Sequence, residues 1–255
     1  MKLNLKKLIK KMMLNDLELR LDDLNLNNLK LYQFKSGYCF TSDSVLLANF
    51  IKAKKNDICV EIGTGSGIIS VLVSYKLNPK KIYAFDIQHD YAELAKKNIE
   101  FNKINNIEII ESKIQDYKNF IDFNVDVIFC NPPYFKNKTC KQSENESIAI
   151  CKHEKYLPLD ELLNCVTKML KFKGKFYMVY PASRICELIF QLKQKNLEPK
   201  KLFFAQPNIN KEANTVYIEC VKGGKEGVKI LPTLVTNSLK GDYVQTIQKL
   251  YRDRG

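Results

Sequence analysis

The sequence predicts an α/β fold: seven strands in one mostly parallel sheet, helices on both faces, and an antiparallel hairpin at one edge. Three observations carry this. Short apolar, strand-like runs alternate with helix-length segments from Asp57 onward, the pattern of a parallel sheet wrapped by crossover helices. The first run ends in a glycine-rich turn, EIGTGSG (61–67), that opens directly into a helix. The last two runs, KLFFAQ (201–206) and TVYIECV (215–221), have no helix between them, so they pair antiparallel.

Residues 1–15 are basic and partly apolar. They read as an amphipathic helix or tail, with an RNA-contacting arm as the alternative. Residues 16–55 mix turn residues with the apolar stretch 45–51, a helix opened by the Ser42/Asp43/Ser44 cluster. DICVEI (57–62) is the first buried strand. Residues 68–77 are helical until Asn78-Pro79 stops them. KIYAFDI (81–87) is the second strand, 91–102 a helix, IEII (107–110) the third strand and VDVIFC (125–130) the fourth. After a polar segment come a helix at 159–170, the strand KFYMVY (175–180), a helix at 184–194 and the two final strands. The expected division is a basic N-terminal extension or cap over 1–40 and one catalytic domain over 41–255.

The chain has 255 residues, 45% hydrophobic and 27% charged, which excludes a disordered or collagen-like chain. No apolar run is long enough for a membrane span, and the lysines of the first 14 residues break up any signal-peptide core. Lys and Arg outnumber Asp and Glu 41 to 28, a net charge of +13, which suits a polyanionic partner. Only four of the 41 are Arg and Trp is absent, a profile that an AT-rich coding bias also produces. The eight cysteines form no C-x-x-C pair, and His89 and His153 stand in no ligand-like spacing with them, so no metal site is expected. Cys59 and Cys130 fall inside apolar strands, where a free thiol acts as a small hydrophobe. Reduced thiols and a cytoplasmic location follow.

The glycine turn lies where ligands bind in such sheets, beyond the carboxyl end of a strand. A dinucleotide fingerprint starting at Gly63 needs glycine at 68, where this chain has Ile68. It has instead Gly63, Gly65 and Gly67 with Glu61 two residues ahead. Glycines let backbone amides approach a ligand, and the carboxylate suits a cationic, amine-bearing one. Asp86 ends the second strand, placed to accept both hydroxyls of a ribose. Together these residues resemble the S-adenosylmethionine site of Rossmann-like class I methyltransferases over about residues 57–180.

Asn131-Pro132-Pro133-Tyr134 follows the fourth strand directly. The prolines fix the backbone and remove two amide donors. Nearby carbonyls and the Asn131 side chain then serve as acceptors, and Tyr134 offers a stacking face. Such a site suits a planar amine. Adenine's exocyclic amine is a poor nucleophile because its lone pair is delocalised into the ring. Acceptors for its N–H groups stabilise the positive charge that grows as nitrogen attacks a sulfonium methyl. No general base, metal or covalent nucleophile is needed. The motif marks amino-methyltransferases. Its company is an ordered series: RLDDL (20–24), YQF (32–34), FTSDSVLLANF (40–50), KHE (152–154), KGKFYMVYPASR (173–184), EPKKLFF (198–204) and EANTVYIECVKGG (212–224). From about residue 16 this series resembles the bacterial valine-tRNA adenine-N6 methyltransferases.

The resemblance implies methyl transfer to the 6-amino group of the tRNA adenosine just 3′ of the anticodon. Phe40, Thr41 and Asp43 would then lie near the methionine part of the cofactor. Glu61, Gly63, Thr64, Gly65 and Gly67 would cradle it, Asp86 would hold the ribose, and Asn131, Pro132, Pro133 and Tyr134 the target base. Relatives often carry an acid near position 113 for the cofactor's adenine. Here that place is Lys113, leaving Ile87 and Ile114 to sandwich the ring. In the polar segment 135–152, Lys136, Lys138, Lys141 and Lys152, followed by His153, are candidate RNA contacts. Two other readings stay open: a glutamine methyltransferase acting on release factors, for which the residues ahead of Phe40 are few, and a non-catalytic RNA-binding protein.

Overall fold

A computed structural model describes residues 18–36, 39–132 and 157–237. The N-terminal 1–15 segment and the polar stretch 135–152 of the sequence reading lie outside these residues. Strands β1 (Leu19–Asp23) and β2 (Lys30–Phe34) form a separate antiparallel hairpin. The main sheet contains β3 (Ile58–Ile62), β4 (Lys81–Asp86), β5 (Ile107–Glu111), β6 (Val125–Cys130), β7 (Leu170–Pro181), β8 (Leu197–Gln206), β9 (Thr215–Lys222) and the two-residue strands β10 (Lys229–Ile230) and β11 (Leu234–Val235). Among the described residues five α-helices accompany them: α1 (Ser42–Phe50), α2 (Ile68–Leu77), α3 (His89–Phe101), α4 (Leu159–Met169) and α5 (Ile185–Gln194).

The sheet order is β10-β8-β9-β7-β6-β3-β4-β5, with β11 also on β8. Strands β3 to β7 pair in parallel, and β9 runs antiparallel between β7 and β8. The seven expected strands are thus present, but the hairpin's outer strand is not the bare edge. The short strands β10 and β11 pair with it in parallel and cover groups that an edge otherwise leaves open.

Alternation along the strands sends side chains to two cores. Val60, Ile62, Ile128 and Cys130 face α4 and α5, packing with Leu162, Leu163, Val166, Leu188 and Leu192. Cys59, Val127 and Phe129 face α1 and α2, packing with Leu46, Leu47, Ile69 and Leu72. Both strand cysteines are fully buried, as small hydrophobes. No helix among the described residues is long and apolar enough to cross a membrane.

The hairpin was not foreseen, and its anchoring explains why. Asn98 on α3 and Asn102 at its C-cap, one turn apart, treat β2 as a strand would. Asn98 Oδ1 accepts from Tyr32 N at 2.7 Å while its Nδ2 donates to Tyr32 O at 3.0 Å. Asn102 does the same with Lys30 N and O, at 3.1 and 2.7 Å. Asn98 Nδ2 also donates to Ser66 O at 2.9 Å, tying the hairpin to the glycine turn. Buried Gln33 accepts from Phe40 N at 2.9 Å and donates to Asp22, so the hairpin positions the chain that enters α1. Asn98→Leu strands two backbone carbonyls and one N–H. We expect a loss of about 2–4 kcal/mol in chemical denaturation; a loss below about 0.5 kcal/mol would show that the amide does not carry the joint.

Candidate active site

The chain reverses direction across the sheet at β3, which lies between β4 and β6. Open α/β sheets bind ligands in the crevice outside the strand ends at such a point. Here the crevice is lined by Phe40, Ser44, Gly63, Thr64, Gly65, Ser66, Ile68, Ile69 and Asn131. Of the residues singled out from the sequence, it gathers Phe40, Gly63, Thr64, Gly65 and Asn131. Asn131 Nδ2 donates to Ser44 Oγ at 3.1 Å, which joins the end of β6 to the first turn of α1.

The glycine turn differs from expectation in which atoms it presents. Gly63 N and Thr64 N both donate to Phe85 O at 2.9 Å, Gly67 N donates to Thr64 O at 2.9 Å, and Gly65 N donates to Asp86 Oδ2 at 2.8 Å. These amides are spent within the protein and are not available to cradle a ligand. What remains toward the crevice is bare backbone. Gly63 and Gly65 have φ of 73° and 55°, and a Cβ built on either meets nothing within 4 Å. The positive φ values call for glycine, and the missing side chains leave room for a ligand against the turn.

Glu61 lies beneath the turn, fully buried. Its Oε2 accepts from Thr64 Oγ1 at 2.8 Å, from Ser70 N at 3.1 Å and from Ser70 Oγ. It thereby caps the third residue of α2, whose own cap position, Gly67, has no side chain to do so. Oε1 is buried with no hydrogen-bond partner. Burial pushes the carboxyl up to about 8, with the Ser70 and Thr64 hydrogen bonds pulling the other way. Asp86, also buried, is raised by desolvation against the opposing bonds from the Gln88, Gly65 and Ile87 amides. Its oxygens accept from Gly65 N and Gln88 N at 2.8 and 2.9 Å, so it fastens the turn to β4 from behind.

The remaining expected residues are more scattered. Thr41 is the exposed N-cap of α1. Asp43 accepts from Tyr217 OH at 2.8 Å and does not line the crevice. A Cβ added at Gly67 would meet Ala95 at ordinary van der Waals distance. Ile114 is buried in the core with Tyr117 and Phe85, whereas Ile87 is 43% exposed. Pro132 is buried at the end of β6; Pro133, Tyr134, Lys136, Lys138, Lys141, Lys152 and His153 lie outside the described residues.

Ser44, Ser66, Ile68 and Ile69 complete the crevice; Ser66 belongs to the 61–67 turn expected to cradle the cofactor, and the other three escaped the sequence reading. Ser44 was visible only as part of a helix-opening cluster, and the isoleucines only as core. His89, Glu93 and Glu111 bring possible ligand atoms within 4.8 Å of one another. His89 Nδ1 lies 2.9 Å from Glu111 Oε2, and Glu93 pairs with Lys96 Nζ at 2.8 Å.

Because folding holds Glu61 above the ordinary carboxylate value of about 4.3, ionising it opposes folding. Its contribution is full below that value and is lost as pH rises through about 8. Thermal melts of the ligand-free protein are therefore expected to lose stability across this window more steeply than Glu61→Gln. Parallel curves for the two proteins would contradict a buried, titrating Glu61.

A family model described as a methyltransferase domain matches residues 53–249. A protein of Aliivibrio salmonicida named tRNA1(Val) (adenine(37)-N6)-methyltransferase is 26% identical over 235 residues, covering 87% of this chain and 95% of its own length. One of the same name from Shewanella baltica is 26% identical over 223 residues, covering 85% and 92%. Among solved structures, a predicted O-methyltransferase of Agrobacterium tumefaciens superposes with a TM-score of 0.65 at 13% identity, over 82% of this chain and 94% of that one, a likeness of fold. With its sheet order, its glycine turn and a family match over most of its length, this chain belongs to the methyltransferase-domain family.

Proposed function

We propose that this protein transfers the methyl group of S-adenosylmethionine to the exocyclic 6-amino group of an adenosine in tRNA, the adenosine 3′ of the anticodon (position 37) of a valine tRNA. The observation that carries the reading is the meeting of Asn131 with the glycine turn in one crevice. A residue type that accepts from an amine thus stands beside a turn shaped for a ligand. The names of the relatives, which specify adenine, N6 and position 37, support the same nucleophile and site.

The residues fit the cofactor. Gly63 and Gly65 leave open space above the turn. The unpartnered, buried Glu61 Oε1 favours a positively charged ligand nearby. On this reading Phe40, Thr41, Asp43, Glu61, Gly63, Thr64, Gly65, Gly67, Asp86, Ile87 and Ile114 serve the cofactor, and Asn131 with Pro132, Pro133 and Tyr134 serves the base. When bound, S-adenosylmethionine supplies an electrophilic methyl on a sulfonium. The protein's part is to orient the amine and stabilise the charge that develops on it. The Ser44 bond turns the Asn131 amide so that its nitrogen end is held by α1, leaving acceptance as the contribution of its carbonyl end. The proton lost after transfer passes to solvent, so the mechanism requires no general base.

Two substitutions test this. Asn131→Ala is expected to lower turnover on the order of 10²–10³-fold in single-turnover assays while calorimetry finds cofactor affinity nearly intact; near-normal turnover would remove Asn131 from the mechanism. Gly65→Asp places a side chain in the open space over the turn and a second carboxylate next to Asp86. Calorimetric binding of S-adenosylmethionine should be lost with the fold retained by circular dichroism, and retained affinity would place the cofactor elsewhere.

A further inference from the structure

At the opposite end of the sheet from the crevice lies a second groove, formed where β3, β6 and β7 begin. It is lined by Lys52, Lys54, Lys171, Phe172, Lys173 and Lys175, with Asp57 and Asp126 at its floor. Strand β3 separates the two sites by about 17 Å, at about 3.3 Å per residue.

Three features distinguish this groove from an ordinary solvated surface. The first is its charge. Asp57 accepts from Lys54 N, and Asp126 from Ile58 N and Lys171 Nζ. The five lysines exceed these two acids by three, and no ion pair is formed by Lys52, Lys54 or Lys175 among the described residues. The second is a bulge. Leu170 pairs with Val125 and Lys175 with Val127, so four residues of β7, 171–174, are pushed out of register between partners two apart. Bulges of this kind re-aim side chains. Within it Lys173 has φ of 65°, a left-handed conformation that side chains other than Gly, Asn and Asp adopt at a cost. The third is Phe172, which the bulge leaves 70% exposed. Its ring packs over Gly223, where any Cβ would meet it at 2.2 Å, and Lys173 Nζ stands 4.7 Å from its centroid. A flat aromatic face beside Lys52, Lys54 and Lys175, which form no ion pair among the described residues, is the combination that binds a nucleic acid backbone with an accessible base or ribose.

We infer that this groove is a second RNA contact, holding the sugar-phosphate backbone of the substrate tRNA outside its anticodon loop. The inference rests on the tRNA reading above. A ligand that reaches both the crevice and the groove must span about 17 Å or more, further than a single nucleotide and within the reach of a tRNA. An acidic protein surface is the other partner such a groove attracts. The aromatic shelf and the +13 net charge of the chain favour nucleic acid.

The test compares intact tRNA with an anticodon stem-loop fragment, using the full-length protein. Lys52→Ala/Lys54→Ala/Lys175→Ala is expected to weaken equilibrium binding of intact tRNA by roughly tenfold or more and to flatten the slope of log affinity against log salt by about two to three. Binding and methylation of the stem-loop, and cofactor affinity, should stay as in the wild type. Lys173→Gly removes a cation with its 2.6 Å hydrogen bond to Gly223 O, and relieves the left-handed side chain. It should weaken tRNA binding with an unchanged or raised thermal midpoint, which separates a binding role from a folding one. Unchanged tRNA affinity in the triple variant overturns the inference and turns the groove toward an acidic protein. An equal loss on tRNA and stem-loop also overturns it, since the groove would then serve the loop. A wild-type protein that binds neither RNA overturns the tRNA reading itself.

Discussion

The joint between the glycine turn and strand β4 is the constraint on which the site depends. Phe85 O takes two turn amides and Asp86 takes a third, while Glu61 braces the turn from below and caps α2. The result is a loop whose polar backbone is satisfied internally and whose ligand-facing side is bare. A buried carboxylate with one unpartnered oxygen is costly in isolation. At a cofactor site the same group is an electrostatic preference awaiting a positive ligand.

Around that joint, the separate elements act on one crevice. β6 brings Asn131 to the level of the turn, α1 brings Ser44 to hold its amide, and the N-terminal hairpin, through Gln33, sets where Phe40 enters. Asn98 links hairpin, α3 and turn at one side chain. The positions of Asn131, Phe40 and the glycine turn are therefore coupled through packing and hydrogen bonds.

Much of this was legible in the sequence because it follows from pattern. The runs at 68–77 and 125–130 match α2 and β6 residue for residue, since mostly apolar runs closed by Gly, Asn or Pro have few alternative readings. The glycines, Glu61 and Asn131 were legible because few other residue types do their work. The hairpin was not, because its strands are held by side-chain amides on a distant helix and carry little pattern of their own. The start of β7 was misplaced because Lys173-Gly174 reads as a turn between elements; it is one, folded inside a strand as a bulge. The role of the turn amides was misread because their acceptor, Phe85 O, belongs to a neighbouring strand whose approach sequence does not show. The strands β10 and β11 are too short for any periodicity.

The fold alone is compatible with methylation at oxygen as well as nitrogen, as the Agrobacterium neighbour illustrates. The identity of the accepting atom is therefore what most directly tests the site's chemistry. Purified protein incubated with labelled S-adenosylmethionine and unmodified valine tRNA, followed by nucleoside mass spectrometry, should yield N6-methyladenosine at the adenosine 3′ of the anticodon. Label on a ribose hydroxyl, on a ring nitrogen, or on release factor in place of tRNA would contradict an amine held at Asn131.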